Sequence, residues 1–203
     1  MPPHRVFLLS PAFTGGKRGQ LLLRPAAAFD LAVRLRSAQG APLGEVFSFL
    51  SGLYFRGKLA YARAFSRPPA GVPGALVITT TRGLVHPDVH VTMDNVLEMA
   101  AGGIDAADAG YRAPLEQAAR EVAEADPAAE VVLLGSIASG KYVDVLAGIF
   151  GDRLRFPAEF VGRGDMSRGG LLLRHVDAGT ELEYLPVAGA IRRGPRPPRL
   201  TPR

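Results

Sequence analysis

The chain has 203 residues and no cysteine. That length suffices to bury a hydrophobic core, and the missing cysteines exclude disulfides, thiolate metal sites and thiol catalysis. The formal charge is +5: residues 1–82 carry 11 basic and 2 acidic side chains, residues 83–188 carry 8 and 17, and residues 189–203 carry five arginines and no acid. A basic surface can steer phosphate-bearing partners, although an arginine-rich composition produces the same charge without any such role.

Membrane insertion is not indicated by the sequence. No apolar run reaches the ~18 residues that a membrane span requires. The short apolar stretch near the N-terminus also lacks a good signal-peptide cleavage pattern. We therefore expect a soluble, cytoplasmic protein with no membrane partner.

The first elements along the chain are a strand, a loop and a helix. Residues 5–11 (RVFLLSP) are apolar and end in proline, which indicates a buried strand. Residues 14–20 (TGGKRGQ) form a glycine-rich basic loop. Residues 25–39 are predicted to be helical, because proline suits the first turn and Gly40 stops the helix.

The longest helical candidate covers residues 43–65, where an apolar stripe recurs at helical spacing. Gly52 and Gly57 weaken this helix, each by about 1 kcal/mol relative to alanine. Two helices joined near Gly57 are therefore the alternative. Three basic residues are expected on the helix face that points away from the core: Arg56, Lys58 and Arg63.

Further strands and helices alternate in the second half. Residues 75–81 (ALVITTT) are rich in β-branched side chains and predict a central strand, as do residues 130–134 (EVVLL). Helices are expected from the cap at Thr92 to Ala101, over residues 113–125, and over residues 139–150. In such a parallel sheet, ligands bind at the carboxyl ends of the strands.

The C-terminal part changes character. Two apolar segments, residues 171–176 and 182–187, predict a β-hairpin. Residues 189–203 are rich in proline and arginine and are expected to be an extended or disordered tail. The predicted architecture is an α/β three-layer sandwich with a mainly parallel central sheet and a C-terminal β-hairpin, forming one domain over residues 1–188.

The clearest local motif is residues 135–142 (GSIASGKY), between a strand and a helix. It matches the first seven positions of a P-loop, but Tyr142 stands where a P-loop has the Ser or Thr that binds Mg²⁺. A P-loop-like nucleotide hydrolase or kinase is one alternative, and an ordinary turn capped by Ser139 is another. As a phosphate-binding turn, the segment offers these candidates: Gly135, Ser136, Ser139, Gly140 and Lys141.

A second cluster lies in residues 160–170, where four glycines surround charged side chains. Arg163 and Arg168 are candidates to clamp a phosphate or carboxylate, with Ser167 as a further ligand contact. Asp165 is a candidate acid or base. The alternative is a solvated turn that leads into the hairpin.

The loop after the first strand contributes Gly16, Lys17 and Arg18 as candidate contacts to phosphate, unless it is a flexible basic loop. The loop after the second strand contributes Arg82 as a ligand contact and Asp88 as a possible general base. Asp88 alternates with two histidines, but no fourth metal ligand is evident. We therefore expect no metal and no cofactor.

Three segments together resemble a known group of proteins: LLSPAFTGGKRG, VITTTRGLVHPD and VVLLGSIASGKY. Their order is similar to that in uncharacterised bacterial α/β proteins whose fold resembles uracil-DNA glycosylases and the lyase-like domain of archaeal tRNA-deazaguanine modification enzymes. The resemblance covers about residues 5–150. It implies a nucleobase or nucleotide pocket surrounded by the loops at 14–19, 82–88, 135–141 and 163–168. The catalytic loops of the glycosylases have no counterpart, so no reaction is implied.

The leading hypothesis is a protein that binds a phosphorylated, nucleotide-like ligand or nucleic acid at the carboxyl ends of its strands. Chemistry on a nucleobase or glycosidic bond is the expectation if it is an enzyme. The alternatives are the P-loop-like hydrolase or kinase and a non-enzymatic module. In that module the arginine-rich tail, residues 192–203, binds nucleic acid or an acidic protein. The first hypothesis requires the loops at 14–19, 135–141 and 162–170 to converge on one pocket.

Overall fold

The computed structural model describes residues 3–198 and residue 200. Its strands are β1 (Arg5–Leu9), β2 (Ala41–Pro42), β3 (Ala75–Ile78), β4 (Leu84–Val85), β5 (His90–Val91), β6 (Glu130–Leu134), β7 (Leu154–Pro157) and β8 (Tyr184–Pro186). Its helices are α1 (Lys17–Leu22), α2 (Asp30–Arg36), α3 (Leu43–Ser51), α4 (Leu53–Phe65), α5 (Met93–Ala101), α6 (Ala109–Ala125), α7 (Gly140–Phe150) and α8 (Asp165–Ala178). None of the described helices combines the length and apolar character needed to cross a membrane.

The described strands form a six-stranded central sheet in the order β4-β3-β1-β6-β7-β8. The inner strands β3, β1, β6 and β7 are parallel, while β4 and β8 pair antiparallel at the two edges. β2 and β5 form a separate antiparallel pair. The predicted α/β fold with a mainly parallel sheet is confirmed.

Alternating side chains of β1 divide the core into two layers. Phe7 and Leu9 join a cluster with buried side chains of α1–α5 and α8, whereas Val6 and Leu8 pack with α6 and α7 on the opposite face. All four side chains are fully buried. Both faces of the sheet are therefore covered by helices, as in the predicted three-layer sandwich.

The C-terminal antiparallel pair is present, but its first strand is β7. Residues 171–176, predicted to be a strand, lie inside α8. A short apolar run does not distinguish a strand from a buried helix, and this run packs its leucines against the α4 side of the core. The glycine-rich segment before it is also helical from Asp165 onward.

The long helical segment divides at Gly52. This residue ends α3 and begins α4 with a φ of +60°, a conformation that glycine adopts without strain. Gly57 lies inside α4. Lys58, expected on the outer face of the helix, is instead buried. That expectation was wrong because α8 covers the side of α4 that the sequence pattern left open to solvent.

Two N-terminal boundaries also differ from the prediction. The basic loop after β1 becomes helix α1 at Lys17, and the helix predicted over residues 25–39 is limited to Asp30–Arg36.

In the C-terminal tail, residues 189–198 and residue 200 have no helix or strand, and Leu200 packs against the core.

Candidate functional site

The central strands β1 and β6 define where a ligand site is expected. The chain leaves β1 through α1–α4, which lie on one face of the sheet, and leaves β6 through α7, which lies on the other. Neighbouring parallel strands whose connections diverge leave a crevice at their carboxyl ends, where α/β proteins bind ligands. Ser10 and Gly135, the residues directly after these strands, lie at this crevice.

Two adjoining pockets occupy this edge of the sheet. We call them the Lys141 pocket, about 340 Å³, and the Ser10 pocket, about 280 Å³. The walls of the Lys141 pocket include Phe13, Thr80, Met99, Ile104, Lys141 and Tyr142. The walls of the Ser10 pocket include Ser10, Phe13, Tyr54, Ser136, Tyr142 and Asp165. Phe13 and Tyr142 belong to both pockets.

The three loops that the sequence singled out meet at these pockets. Thr14 and Lys141 contribute to the Lys141 pocket, whereas Gly16, Ser136 and Asp165 contribute to the Ser10 pocket. The convergence that the leading hypothesis requires is therefore present in the structure. Most of the charged side chains nominated in these loops nevertheless lie outside the pocket walls.

The turn after β6 is close to β1 because Gly135 lacks a side chain. A Cβ on Gly135 would lie 3.0 Å from the Cβ of Ser10. Ser139 occupies the N-cap position of α7 without a capping hydrogen bond from its side chain. Gly140 begins the helix, and the exposed Lys141 follows it at the wall of its pocket.

Tyr142 replaces the magnesium-binding Ser or Thr of a P-loop. Its side chain is buried and separates the two pockets as a shared wall. Burial raises the pKa of the Tyr142 phenol to about 12, so the hydroxyl stays protonated at neutral pH. The turn therefore offers a helix N-terminus and a lysine without the hydroxyl ligand that a P-loop gives to Mg²⁺.

The arginines of the candidate clamp bind the protein's own backbone. The buried Arg168 donates to the carbonyl oxygen of Phe160 at 3.0 and 3.2 Å. Arg163 donates to the Glu159 carbonyl at 2.9 Å and to the Ser167 hydroxyl at 3.3 Å. These bonds hold the start of α8 in place. Asp165, whose side chain is 70% exposed, is the member of this cluster that reaches a pocket wall.

Two further basic candidates have protein partners. Arg18 donates to the carbonyl oxygen of Phe49 at 3.1 Å and lies against Gly52. Arg82 forms an ion pair with Glu98 at 2.5 Å. Lys17, by contrast, is exposed in the first turn of α1 and belongs to neither pocket wall.

Asp88 and its neighbouring histidines do not converge on a common point. Asp88 pairs with Arg63 at 2.5 Å, outside both pocket walls. The Nδ1 atom of His86 accepts from the Asp88 backbone N–H, whereas His90 Nδ1 lies 2.8 Å from the Gln39 carbonyl oxygen.

A feature that the sequence analysis missed lies behind the Ser10 pocket. Lys58 of α4 is 1% exposed, and its Nζ donates to the carbonyl oxygen of Ser10 at 2.5 Å and to Ser10 Oγ at 2.9 Å. The same Nζ lies 4.4 Å from the ring centre of Tyr54 and 4.9 Å from that of Phe55. Burial lowers the pKa of Lys58 to about 7. The sequence signal for this arrangement is a lysine that follows Tyr54 and Phe55 within about one turn of the same helix.

The pockets thus combine an apolar and aromatic wall, one exposed lysine, and a serine hydroxyl bonded to a buried amine.

Compared with models of known protein families, with curated proteins and with solved structures, the chain has no match.

Proposed function

We propose that the protein binds a nucleotide-like ligand, a planar heterocycle that carries a phosphate, in the Lys141 pocket. The observation that carries this proposal is the composition of the pocket wall at the β1–β6 crevice. Aromatic and apolar side chains line it, and Lys141 supplies a positive charge. The volume of about 340 Å³ falls in the usual range for small-molecule sites.

Phe13 is the residue on which the heterocyclic part of the ligand stacks in this proposal. Its side chain is 78% exposed although it is large and apolar, and it borders both pockets. Stacking of a planar ring on Phe13 removes apolar surface from water and adds the favourable geometry of an aromatic pair. Bases of every type have such a face, so this contact by itself does not select one base.

Lys141 is the residue that contacts the phosphate of the ligand in this proposal. It lies in the first turn of α7, where unpaired backbone N–H groups and the helix dipole favour an anion. The lysine adds a point charge at the same end of the helix. Because Tyr142 replaces the magnesium-binding hydroxyl, we propose that binding does not require Mg²⁺. The sequence resemblance to uncharacterised α/β proteins implies a pocket for a nucleobase or nucleotide, which is the ligand class proposed here.

Calorimetric titration of the full chain with adenosine, uridine and their 5′-monophosphates tests the proposal. The wild-type protein is expected to bind a monophosphate about tenfold more tightly than its nucleoside, since one charge-assisted contact contributes about 1.5 kcal/mol. Lys141→Ala should remove this difference and leave nucleoside affinity unchanged. Phe13→Ala should weaken the nucleoside and the monophosphate equally.

Lys17→Ala is the matched control, because Lys17 is an exposed lysine of a neighbouring helix outside both pocket walls. It should bind every ligand as the wild type does. Equal losses in Lys17→Ala and Lys141→Ala would indicate a diffuse charge effect and contradict the proposal. Monophosphate binding that is indifferent to both Lys141→Ala and Phe13→Ala would place the ligand elsewhere.

A further inference from the structure

The Ser10 pocket contains a hydroxyl and an amine in the arrangement of a nucleophile and its base. We propose that Ser10 is a catalytic nucleophile, that Lys58 is its general base, and that the pair cleaves a carboxylic ester bound in the Ser10 pocket. This activity goes beyond the proposed nucleotide binding, which concerns the adjoining Lys141 pocket.

The position of Ser10 is fixed by both central strands. It follows β1 directly, its backbone N–H donates to the Leu134 carbonyl of β6 at 3.2 Å, and its hydroxyl donates to the same oxygen at 3.3 Å. In the proposed reaction, rotation about the Cβ–Oγ bond turns the hydroxyl hydrogen toward Lys58. Lys58 Nζ lies 2.9 Å from Ser10 Oγ, within the range over which a base takes a proton from a nucleophile. Ser10 belongs to the wall of the pocket and Lys58 does not, so Ser10 is the member of the pair within reach of a substrate.

The surroundings of Lys58 favour the neutral amine that a general base requires. Burial lowers its pKa to about 7, with Arg168 acting in the same direction and Asp165 in the opposite one. The aromatic rings of Tyr54 and Phe55 pack around Nζ. At pH 8 the amine is therefore mostly unprotonated. Its lone pair can accept the Ser10 proton while its N–H donates to the Ser10 carbonyl.

Tyr54 supplies a second, independent indication of a ligand. It belongs to the wall of the Ser10 pocket, and its buried hydroxyl makes no hydrogen bond of normal geometry with the described residues, although the Arg168 guanidinium lies close enough to interact with it. Burial raises the pKa of this phenol, so the group remains a donor at neutral pH. Buried polar groups without partners are rare in folded proteins. In the proposed reaction Tyr54 donates to the carbonyl oxygen of the ester as negative charge develops there.

The reaction balances without any additional reagent except water. Ser10 Oγ attacks the carbonyl carbon as its proton moves to Lys58 Nζ. The tetrahedral intermediate then expels the alkoxide, which takes that proton and leaves as an alcohol. Water attacks the acyl-serine and gives a proton to Lys58. Collapse releases the acid, and the proton on Lys58 returns to Ser10 Oγ.

A fluorophosphonate probe tests the nucleophile directly in the full chain. Ser10 Oγ forms a bond to phosphorus, fluoride leaves, and the serine proton passes through Lys58 to solvent. Peptide mass spectrometry should locate the adduct on Ser10. Ser51 and Ser136 belong to the same pocket wall and should stay unlabelled, which makes them internal controls. Ser10→Ala should abolish labelling, and Lys58→Met should slow it at least tenfold.

The pH dependence of labelling in the wild-type chain tests the base even if Lys58→Met does not fold. The rate should rise about tenfold between pH 6 and pH 8.5, with half of the rise near pH 7. An adduct on a different serine, no adduct at Ser10, a rate independent of pH, or normal labelling of folded Lys58→Met would overturn the proposal. None of these results depends on nucleotide binding, so each is separable from failure of the proposed function.

Discussion

At the scale of single residues, Lys58 differs most from what the sequence suggests. Helical periodicity indicates which positions share a face, but it does not reveal what packs over that face. Helix α4 packs against the sheet on one side and against α8 on another. Lys58 is therefore buried although its side chain is polar. The neighbouring Tyr54 and Phe55 were the visible signal, since a lysine there has an apolar environment at short range.

The candidate arginines Arg168 and Arg18 have acceptors within the protein, which the sequence does not reveal. Arginine donates equally well to a ligand phosphate and to a backbone carbonyl, and the sequence does not show which acceptor is near. Arg168 donates to the carbonyl oxygen of Phe160, eight residues earlier, and Arg18 donates to that of Phe49 on another helix. The position of Lys141, at the start of a predicted helix after a correctly predicted strand, agrees with the sequence because it depends only on local structure.

The buried amine predicts how stability varies with pH. The pKa of Lys58 is about 7 in the folded chain, below its usual 10.5, so between these values the unfolded chain holds a proton that the folded chain lacks. Its contribution to the free energy of unfolding therefore rises with pH, by up to about 1.4 kcal/mol per pH unit from pH 8 to 9.5.

Urea unfolding of wild type and Lys58→Met over this range measures that slope. The wild type should gain about 2 kcal/mol relative to the variant as the pH rises from 8 to 9.5. Below pH 8, Lys58→Met should be the more stable of the two proteins, because methionine carries no charge that must be desolvated. Parallel stability curves for the two proteins would show that Lys58 titrates normally.

At the scale of elements, the two central strands β1 and β6 were predicted correctly, whereas the apolar run at 171–176 and the glycine-rich segment before it were not. β1 and β6 are buried on both faces, so each is a continuous apolar run after its first, charged residue, and their positions agree with the prediction. The cap at Thr92 also marks the start of α5, where it forms a capping box with Asn95. In α8, however, Gly169 allows close packing against α4, whereas a glycine-rich sequence such as this one favours the prediction of a loop.

Gly57 of α4 and Gly169 of α8 make this close packing possible. A Cβ on Gly57 would lie 2.8 Å from the carbonyl oxygen of Gly169 and 3.1 Å from its Cα. Gly57→Ala should therefore destabilise the protein by about 2 kcal/mol, because separating the two helices outweighs the better helix propensity of alanine.

Gly148→Ala is the matched control in thermal or urea unfolding. Gly148 is exposed in α7, and a Cβ there would meet no atom within 4 Å. This change should stabilise the protein by about 0.5 to 1 kcal/mol through helix propensity alone. If both alanine variants stabilise the protein, the α4–α8 contact is not the reason for Gly57.

At the scale of the whole molecule, the uneven charge along the sequence becomes internal pairing. Arg5 from the basic first half forms ion pairs with Glu130 and Glu181 of the acidic part, and Arg82 pairs with Glu98. These pairs join segments distant in sequence. Part of the positive charge of the first half is thus paired within the fold, so its simple count overstates the basic surface.

The order of the strands could not be read from the sequence, although the loops that follow them were identified. Loops after three strands lie at one edge of any parallel sheet, but only adjacent strands place them in contact. The structure sets β1 between β3 and β6, which brings Phe13, Thr80 and Lys141 to one pocket. Asp88 follows the edge strand β4 and pairs with Arg63 outside this pocket. Long-range pairing of this kind is decided by packing of the whole core, which no local pattern specifies.

The most direct test of the central claim is a crystal structure of the full chain with the nucleoside monophosphate that binds most tightly in the calorimetric series. The account predicts electron density for the base against Phe13 and for the phosphate beside the Lys141 ammonium at the start of α7. Density at another site, such as the arginines at positions 192 and 193 with an empty Lys141 pocket, would contradict it.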